Sequence, residues 1–256
     1  MKANTQTTIP AGSVLGSRIN ALGWMDTLHV LSDWAAQQQS RYVCISNVHM
    51  VVTARDDRQL AHAMRQADMA TPDGAPIAWM LRRLGFAKQP RISGTELMRA
   101  YLAQASGRGE SVFLFGSTEE TLARLQQTLL AEFPALVIAG AISPPFRQLT
   151  DAEDAAIVAQ INASGAGTVW VSLGCPKQEK WMQAHRGRVA AVMLGVGAAF
   201  DFIAGTKPRA PVWMQSLGLE WLHRLSSEPS RLWKRYLVTN SRFVMGAARQ
   251  LLWGGR

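Results

Sequence analysis

Between residues 18 and 204, short strand-like runs alternate with longer helical stretches, and that alternation leaves few folds open. Strand runs fall at Tyr42–Ser46, just before Asp73, at Ser111–Phe115, Leu136–Ile142, Thr168–Leu173 and Ala190–Leu194. Helical stretches fall at Thr53–Gln66, Ile77–Leu84, Gly94–Ala105 and Glu119–Glu132, and from a capping box at Thr150 and Glu153 to about Asn162. Strands separated by helices of this length form βαβ units, so the fold expected is α/β with a mostly parallel, Rossmann-like sheet flanked by helices.

In such sheets ligands gather outside the carboxyl ends of the strands. One end stands out. Thr71-Pro72-Asp73-Gly74 carries a short apolar run into a tight turn, where Pro presets φ and Gly tolerates positive φ. Asp73 is thereby held at the strand tip, as a turn former or as a working carboxylate. Three further strand ends run into glycine turns, at Phe115-Gly116-Ser117, at Gly174-Cys-Pro-Lys-Gln-Glu179 and at Gly195-Val-Gly-Ala-Ala-Phe-Asp201. Backbone N–H groups in such turns cradle phosphate; for the last turn, the start of a buried helix is an equal reading. Gly195 and Gly197 match two glycines of a dinucleotide fingerprint, but Phe200 stands at the third, which argues against an NAD enzyme.

The 256 residues carry a net charge of +9, unevenly spread. Residues 205–256 hold nine Lys or Arg against two Glu, so the last fifth has most of the surplus and calls for an anionic partner. From Pro229 to about Leu252 a helix is expected, with Arg231, Lys234, Arg235, Arg242 and Arg249 on one side. Leu232, Trp233, Tyr236, Leu237, Phe243, Val244, Ala247 and Leu251 lie on the other. That pattern is an interfacial membrane helix, or a helix packed on the domain by its apolar face, or both. Aromatics opposite the arginines suit lipid better than stacked bases, which disfavours a nucleic-acid-binding protein as the alternative.

The domains expected are a disordered lead-in over residues 1–17, a catalytic domain over 18–204 and a membrane-associating appendage over 205–256. The longest apolar run, Val189–Phe200, falls well short of the ~20 residues of a spanning helix. Cys44 and Cys175 have no paired spacing, and the five histidines show no metal-ligand spacing. A reducing cytoplasmic setting follows.

The residues resemble a known family, the WecG/TagA/CpsF bacterial glycosyltransferases. The carriers are Asp68–Gly74, Arg91-Ile-Ser-Gly-Thr-Glu-Leu97, Val112–Gly116, Leu173–Trp181, Gly195–Phe202, Arg209-Ala-Pro211 and Leu217–Leu222. The resemblance implies a metal-independent, inverting transfer of a sugar (N-acetylmannosamine, its uronic acid or glucose) from a UDP-sugar. The acceptor implied is a polyprenyl-diphosphate-linked saccharide at the inner face of the cell membrane. It assigns the catalytic base to Asp73, a sugar-contacting role to Arg91, and substrate contacts to Asn47, Gln178 and, in the tail, Arg224 and Arg231. Ile45 stands where the family often carries threonine.

The chemistry agrees with the assignment. An inverting transfer needs a carboxylate to take the acceptor hydroxyl's proton, and fixed cations or N–H dipoles to meet the charge on the leaving UDP. No Asp-x-Asp metal pair is present, so no metal cofactor is expected. Charge stabilisation falls to Arg91, the turns at Gly116, Ser117, Gly174 and Gly197, and the tail arginines. Glu179 either complements the dipole of its helix or bonds donor hydroxyls. His49 is a second acid/base candidate. A nucleotide-sugar-modifying enzyme remains the other alternative, and a homo-oligomer is compatible with the sequence.

Overall fold

The computed structural model of the protein describes residues 9–216 and 219–253, leaving aside the side chains of Val212, Ser216, Arg231 and Arg235. The chain opens with a hairpin of β1 (Ala11–Val14) and β2 (Ser17–Asn20), then α1 (Trp24–Ala36), β3 (Arg41–Ser46), α2 (Val48–Thr53), α3 (Arg58–Gln66) and β4 (Met69–Pro72). It continues with α4 (Ala75–Arg83), α5 (Gly94–Arg108), β5 (Ser111–Gly116), α6 (Glu119–Glu132), β6 (Val137–Ile142) and α7 (Asp151–Ala163). Next come β7 (Thr168–Ser172), α8 (Lys177–His185), β8 (Val192–Gly195) and α9 (Ala199–Ile203). Three helices close it: α10 (Val212–Ser216), α11 (Glu220–Ser227) and α12 (Pro229–Trp253).

Strands β3 to β8 form one parallel sheet in the order β4-β3-β8-β7-β5-β6. The strands are apolar on both faces, as a sheet covered on both sides requires. Tyr42, Cys44, Phe113 and Phe115 point into one core layer, which includes residues of α2, α3, α4, α8 and α12. Val43, Ile45, Val112 and Leu114 point into the other, with residues of α1, α5, α6 and α9. The expected Rossmann-like sheet is the one observed.

Three expectations need correction. Residues 11–17, expected in a disordered lead-in, belong to the hairpin; residues 1–8 lie outside the described residues. The hairpin lies against the edge strand, where Asn20 Oδ1 accepts from the Ala70 N–H at 2.8 Å, so this edge of the sheet is covered. The helix expected over Thr53–Gln66 starts only at Arg58, because α2 ends at Thr53 and Asp57 caps a fresh start through the N–H groups of Gln59 and Leu60.

The third concerns the tail. Leu232, Phe243 and Ala247 of α12 are buried, and Phe243 and Ala247 join the same core layer as α2. Gln250 bonds back to the hairpin, accepting from the Leu15 N–H at 2.9 Å and donating to the Ser13 carbonyl at 2.6 Å. Yet Trp233, Leu237 and Val244, assigned to the same apolar side, are exposed. The helix has two apolar stripes, one docked and one facing outward, so a boundary at residue 204 separates the charge but not the packing. Phe243→Ala is expected to cost about 3 kcal/mol of stability, as a buried aromatic truncation does. Limited proteolysis should then cut within 229–253 well before the sheet is attacked.

Candidate active site

Parallel strands end at one edge of their sheet, and neighbours lie about 4.8 Å apart. Read along that edge, the strand ends present Asp73 after β4, Asn47 after β3, Gly197 after β8, Gly174 after β7, Gly116 and Ser117 at β5, and Ser143 after β6. Asp73, Asn47 and the glycine turns are therefore gathered in one row, with the carboxylate at one end and the turns at the centre; Arg91, Gln178 and Glu179 lie off it.

Asp73 is fixed through its backbone. Its N–H donates to the Ser46 carbonyl at 2.9 Å, and Gly74 at φ +83° turns the chain into α4. The Ile92 N–H donates to the Pro72 carbonyl at 2.9 Å, which hangs the Arg91 segment on the end of the same strand. The carboxyl keeps some contact with solvent but is closely surrounded. Burial, seconded by the negative Glu220, pushes its pKa up to about 6, against the pull of Arg91, a hydrogen bond from Asn47 and Arg224. Asn47 has two tasks. Its Oδ1 caps α2 by accepting from the Met50 N–H at 3.1 Å, which leaves its amide N–H₂ to donate to Asp73.

Around Asp73 lies a cluster of alternating charge. Arg91 donates to Glu96 Oε1 at 2.8 Å and to Glu220 Oε2 at 3.3 Å, while Arg209 reaches Glu96 Oε1 at 3.2 Å. Ser93 Oγ holds the other oxygen of Glu96 at 2.7 Å. Glu220 and Arg224 stand four residues apart on α11, on one face of that helix, and the Arg224 guanidinium lies 5.5 Å from the centre of the Phe202 ring. The tail meets this cluster through Glu220, and the Arg224 charge acts on Asp73. The Arg231 side chain lies outside the described residues.

The glycine turns are laced together more tightly than a set of free phosphate cradles. Gly116 sits at φ +116°, and a Cβ there would come 2.4 Å from the Ser172 carbonyl oxygen. The Ser117 N–H donates to that carbonyl at 3.0 Å, and the Gly174 N–H donates to Gln178 Oε1 at 3.2 Å. These two N–H groups are engaged inside the protein, so any part Ser117 and Gly174 play in holding phosphate does not run through them. Gly197, at φ +54°, lends its carbonyl to Ser172 Oγ at 2.7 Å.

Gln178 and Glu179 depart furthest from expectation. They are 3% and 0% exposed and lie beneath the turns, not on the surface of the cleft. Gly195 leaves the space into which Gln178 folds, since a Cβ there would lie 2.9 Å from Nε2. His49 Nδ1 lies 3.3 Å from Thr53 Oγ1, one helical turn along α2, and Asn47 supplies the contact to Asp73. Ile45, 4% exposed, lines the core beneath the start of α5. Among the described residues no three or more His, Cys, Asp or Glu side chains gather as a metal site.

Sequence reasoning gave no role to Glu96 or Glu220, or to Phe146, which is 82% exposed on the loop after β6, and it included Arg209 only among the tail arginines. For Glu220 the signal was present, as an acid one helical turn before an expected site arginine.

A carboxylate at a parallel-strand end, with arginines around it and glycine turns along the same edge, marks the ligand-binding edge of an α/β fold. Residues 12–256 match the model of the glycosyl transferase WecG/TagA/CpsF family, and the chain belongs to that family. It is thus a glycosyltransferase of a family at work in cell-surface polysaccharide synthesis, whose reactions join a sugar donor to a lipid-linked acceptor.

Gly116→Ala places a Cβ against a backbone oxygen at a positive φ, where no side chain can yield. A loss of at least about 1 kcal/mol is expected, read as a lower midpoint in urea unfolding.

Proposed function

We propose that the enzyme transfers a hexose or N-acetylhexosamine-type sugar from a UDP-sugar to a hydroxyl of a polyprenyl-diphosphate-linked saccharide, with inversion and with Asp73 as general base. The acceptor hydroxyl gives its proton to the Asp73 carboxylate as its oxygen attacks the anomeric carbon. The bond from that carbon to the β-phosphate oxygen breaks on the opposite face, and UDP leaves with the electron pair. The observation that carries this reading is Asp73 itself, with its pKa pushed up to about 6 among Arg91, Arg224 and Asn47. A base in that range is ionised at neutral pH yet still takes a proton readily.

The row of strand ends suits a donor laid along it. The sugar falls beside Asp73 and Asn47, and the diphosphate over the turns at Gly197 and Gly174. The nucleoside falls at Ser117 and Ser143, whose Oγ donates to the Ser117 carbonyl at 2.8 Å. Phe146, exposed at that end, offers a flat apolar face to the base. Arg91, with Arg224 at the Asp73 end, meets the charge of the departing diphosphate in a reaction that needs no metal.

The outward stripe of α12, with Trp233, Leu237, Val244 and the nearby Lys234, supports docking on an anionic membrane surface where the lipid-linked acceptor resides. No helix of the described residues is long and apolar enough to cross a membrane.

Substitution, pH, chelation and vesicle binding each test this reading. Asp73→Asn should lower transfer by roughly 10²–10⁴ while UDP binding stays near wild type, and full activity in that variant ends the assignment. The neutral form of a carboxyl raised by burial favours folding, and that contribution fades as pH rises through about 6. Asp73→Asn should therefore melt no lower than wild type at pH 8, which separates lost chemistry from lost structure.

The rate should rise with pH through about 6, because the base works only when ionised, and Glu220→Gln should move that limb to lower pH. Activity that is abolished by chelator and restored by Mg²⁺ contradicts metal independence. Co-sedimentation with anionic vesicles should fall when Trp233 and Leu237 are both replaced by Ser.

A further inference from the structure

The reaction just described makes no use of Glu179, a carboxyl buried from solvent beneath the glycine turns. Its Oε1 accepts from Gln178 Nε2 at 2.8 Å. Its Oε2 is buried without a hydrogen bond to the described nitrogen and oxygen atoms, and has the Cys175 thiol as its polar neighbour. An acid in such a place is costly, and an apolar side chain of the same size packs there more cheaply. Burial pushes the carboxyl up, so that its neutral form is favoured.

The bond to Gln178 gives this acid a purpose. A carboxamide turns over by half a rotation at little steric cost, and its direction is set by what surrounds it. Here one side is the Gly174 N–H, which needs an acceptor, and the other is Glu179 Oε1, which needs a donor. Reversed, the amide puts two donors together at Gly174 and two acceptors together at Glu179. The same amide lies against Gly195 at the end of β8 and Gly197 in the turn after it, since Cβ atoms there would stand 2.9 Å and 3.8 Å from it. Gln178 therefore joins the turn after β7 to the turn after β8, and Glu179 holds Gln178 in the one orientation that does so.

We propose that Glu179 is a positioning residue for the sugar-nucleotide donor: by fixing the Gln178 carboxamide it holds the turns at Gly174 and Gly197 in the shape that receives the diphosphate. The inference rests on the donor reading above and adds to it a part that does not touch the reacting atoms.

The test uses the full chain, with UDP as the probe in calorimetric titration and with donor and acceptor KM measured separately. Glu179→Gln retains an acceptor oxygen for Gln178 and should bind UDP within about twofold of wild type. Glu179→Leu removes it and should weaken UDP binding and raise the donor KM by about tenfold, the worth of one lost hydrogen bond, with the acceptor KM unchanged. Gln178→Leu breaks the link from the other end and should give the same pattern, which keeps the test open if Glu179→Leu does not fold.

If either leucine variant folds and binds UDP as wild type does, Glu179 serves packing alone and the proposal is overturned. It is overturned equally if Glu179→Gln is as weak as the leucine variants, or if donor and acceptor KM move together. Failure of the wild-type protein to bind UDP defeats the donor reading and this inference with it. Normal wild-type binding with unaffected leucine variants defeats the inference alone.

Discussion

A sheet whose strands all run one way has two unlike edges, and this molecule places its chemistry on one of them. Helices must carry the chain back across each face before the next strand begins, so every carboxyl end opens into a turn on the same side. Several polar groups of those turns bond to one another across neighbouring strand ends. Ser172 shows the result, its carbonyl engaged by Ser117 and its hydroxyl by Gly197, so that one residue ties three neighbouring strand ends. The rigidity of the row therefore follows from bonds between strand ends, not from any one loop.

On this frame the charges at the Asp73 end are balanced by segments distant in sequence. Arg91 arrives on the loop before α5, Glu96 on α5 itself, Arg209 on the segment after α9, and Glu220 and Arg224 on α11. Arg91 is shared between two carboxylates, which holds its planar fork in place and partly spends its charge. An anionic ligand entering here competes with Glu220 for the same guanidinium. Because α11 runs through Glu228 into α12, the residues that complete the site and the stripe that faces outward belong to one continuous stretch of chain. Anchoring of α12 by Phe243, Ala247 and Gln250 then bears on the geometry at Arg91 as well as on stability.

What the sequence disclosed and what it withheld divide along physical lines. Period and length revealed the sheet strands, because apolar runs bounded by Gly and Pro have few other uses, and the box at Thr150 and Glu153 is present with both of its bonds. Asp73 was legible because Pro72 and Gly74 determine the turn that holds it. The hairpin over residues 11–20 was not, since its strands are short, polar and stabilised by a long-range bond from Ala70 to Asn20. The burial of Gln178 and Glu179 was hidden for a similar reason: space for them comes from a glycine on another strand, and no local pattern records it. The two stripes of α12 escaped because a helical wheel shows which residues share a side but not which of them find a partner.

The value reached by Asp73 follows from terms that act against one another. Burial alone drives a carboxyl toward the neutral form and leaves too little of it ionised to act as a base at neutral pH. Cations alone pull it the other way and leave a carboxylate that is fully ionised but reluctant to accept a proton. Here burial comes first, Glu220 adds to it, and Arg91, Asn47 and Arg224 hold it in check. The acid on α11 is therefore more than a counter-ion for Arg91. Without its negative charge the two arginines would pull the Asp73 carboxyl further toward the ionised, less basic form. By taking up part of their field, Glu220 lets strong cations and a carboxyl with a raised pKa stand at the same end of one row of strands.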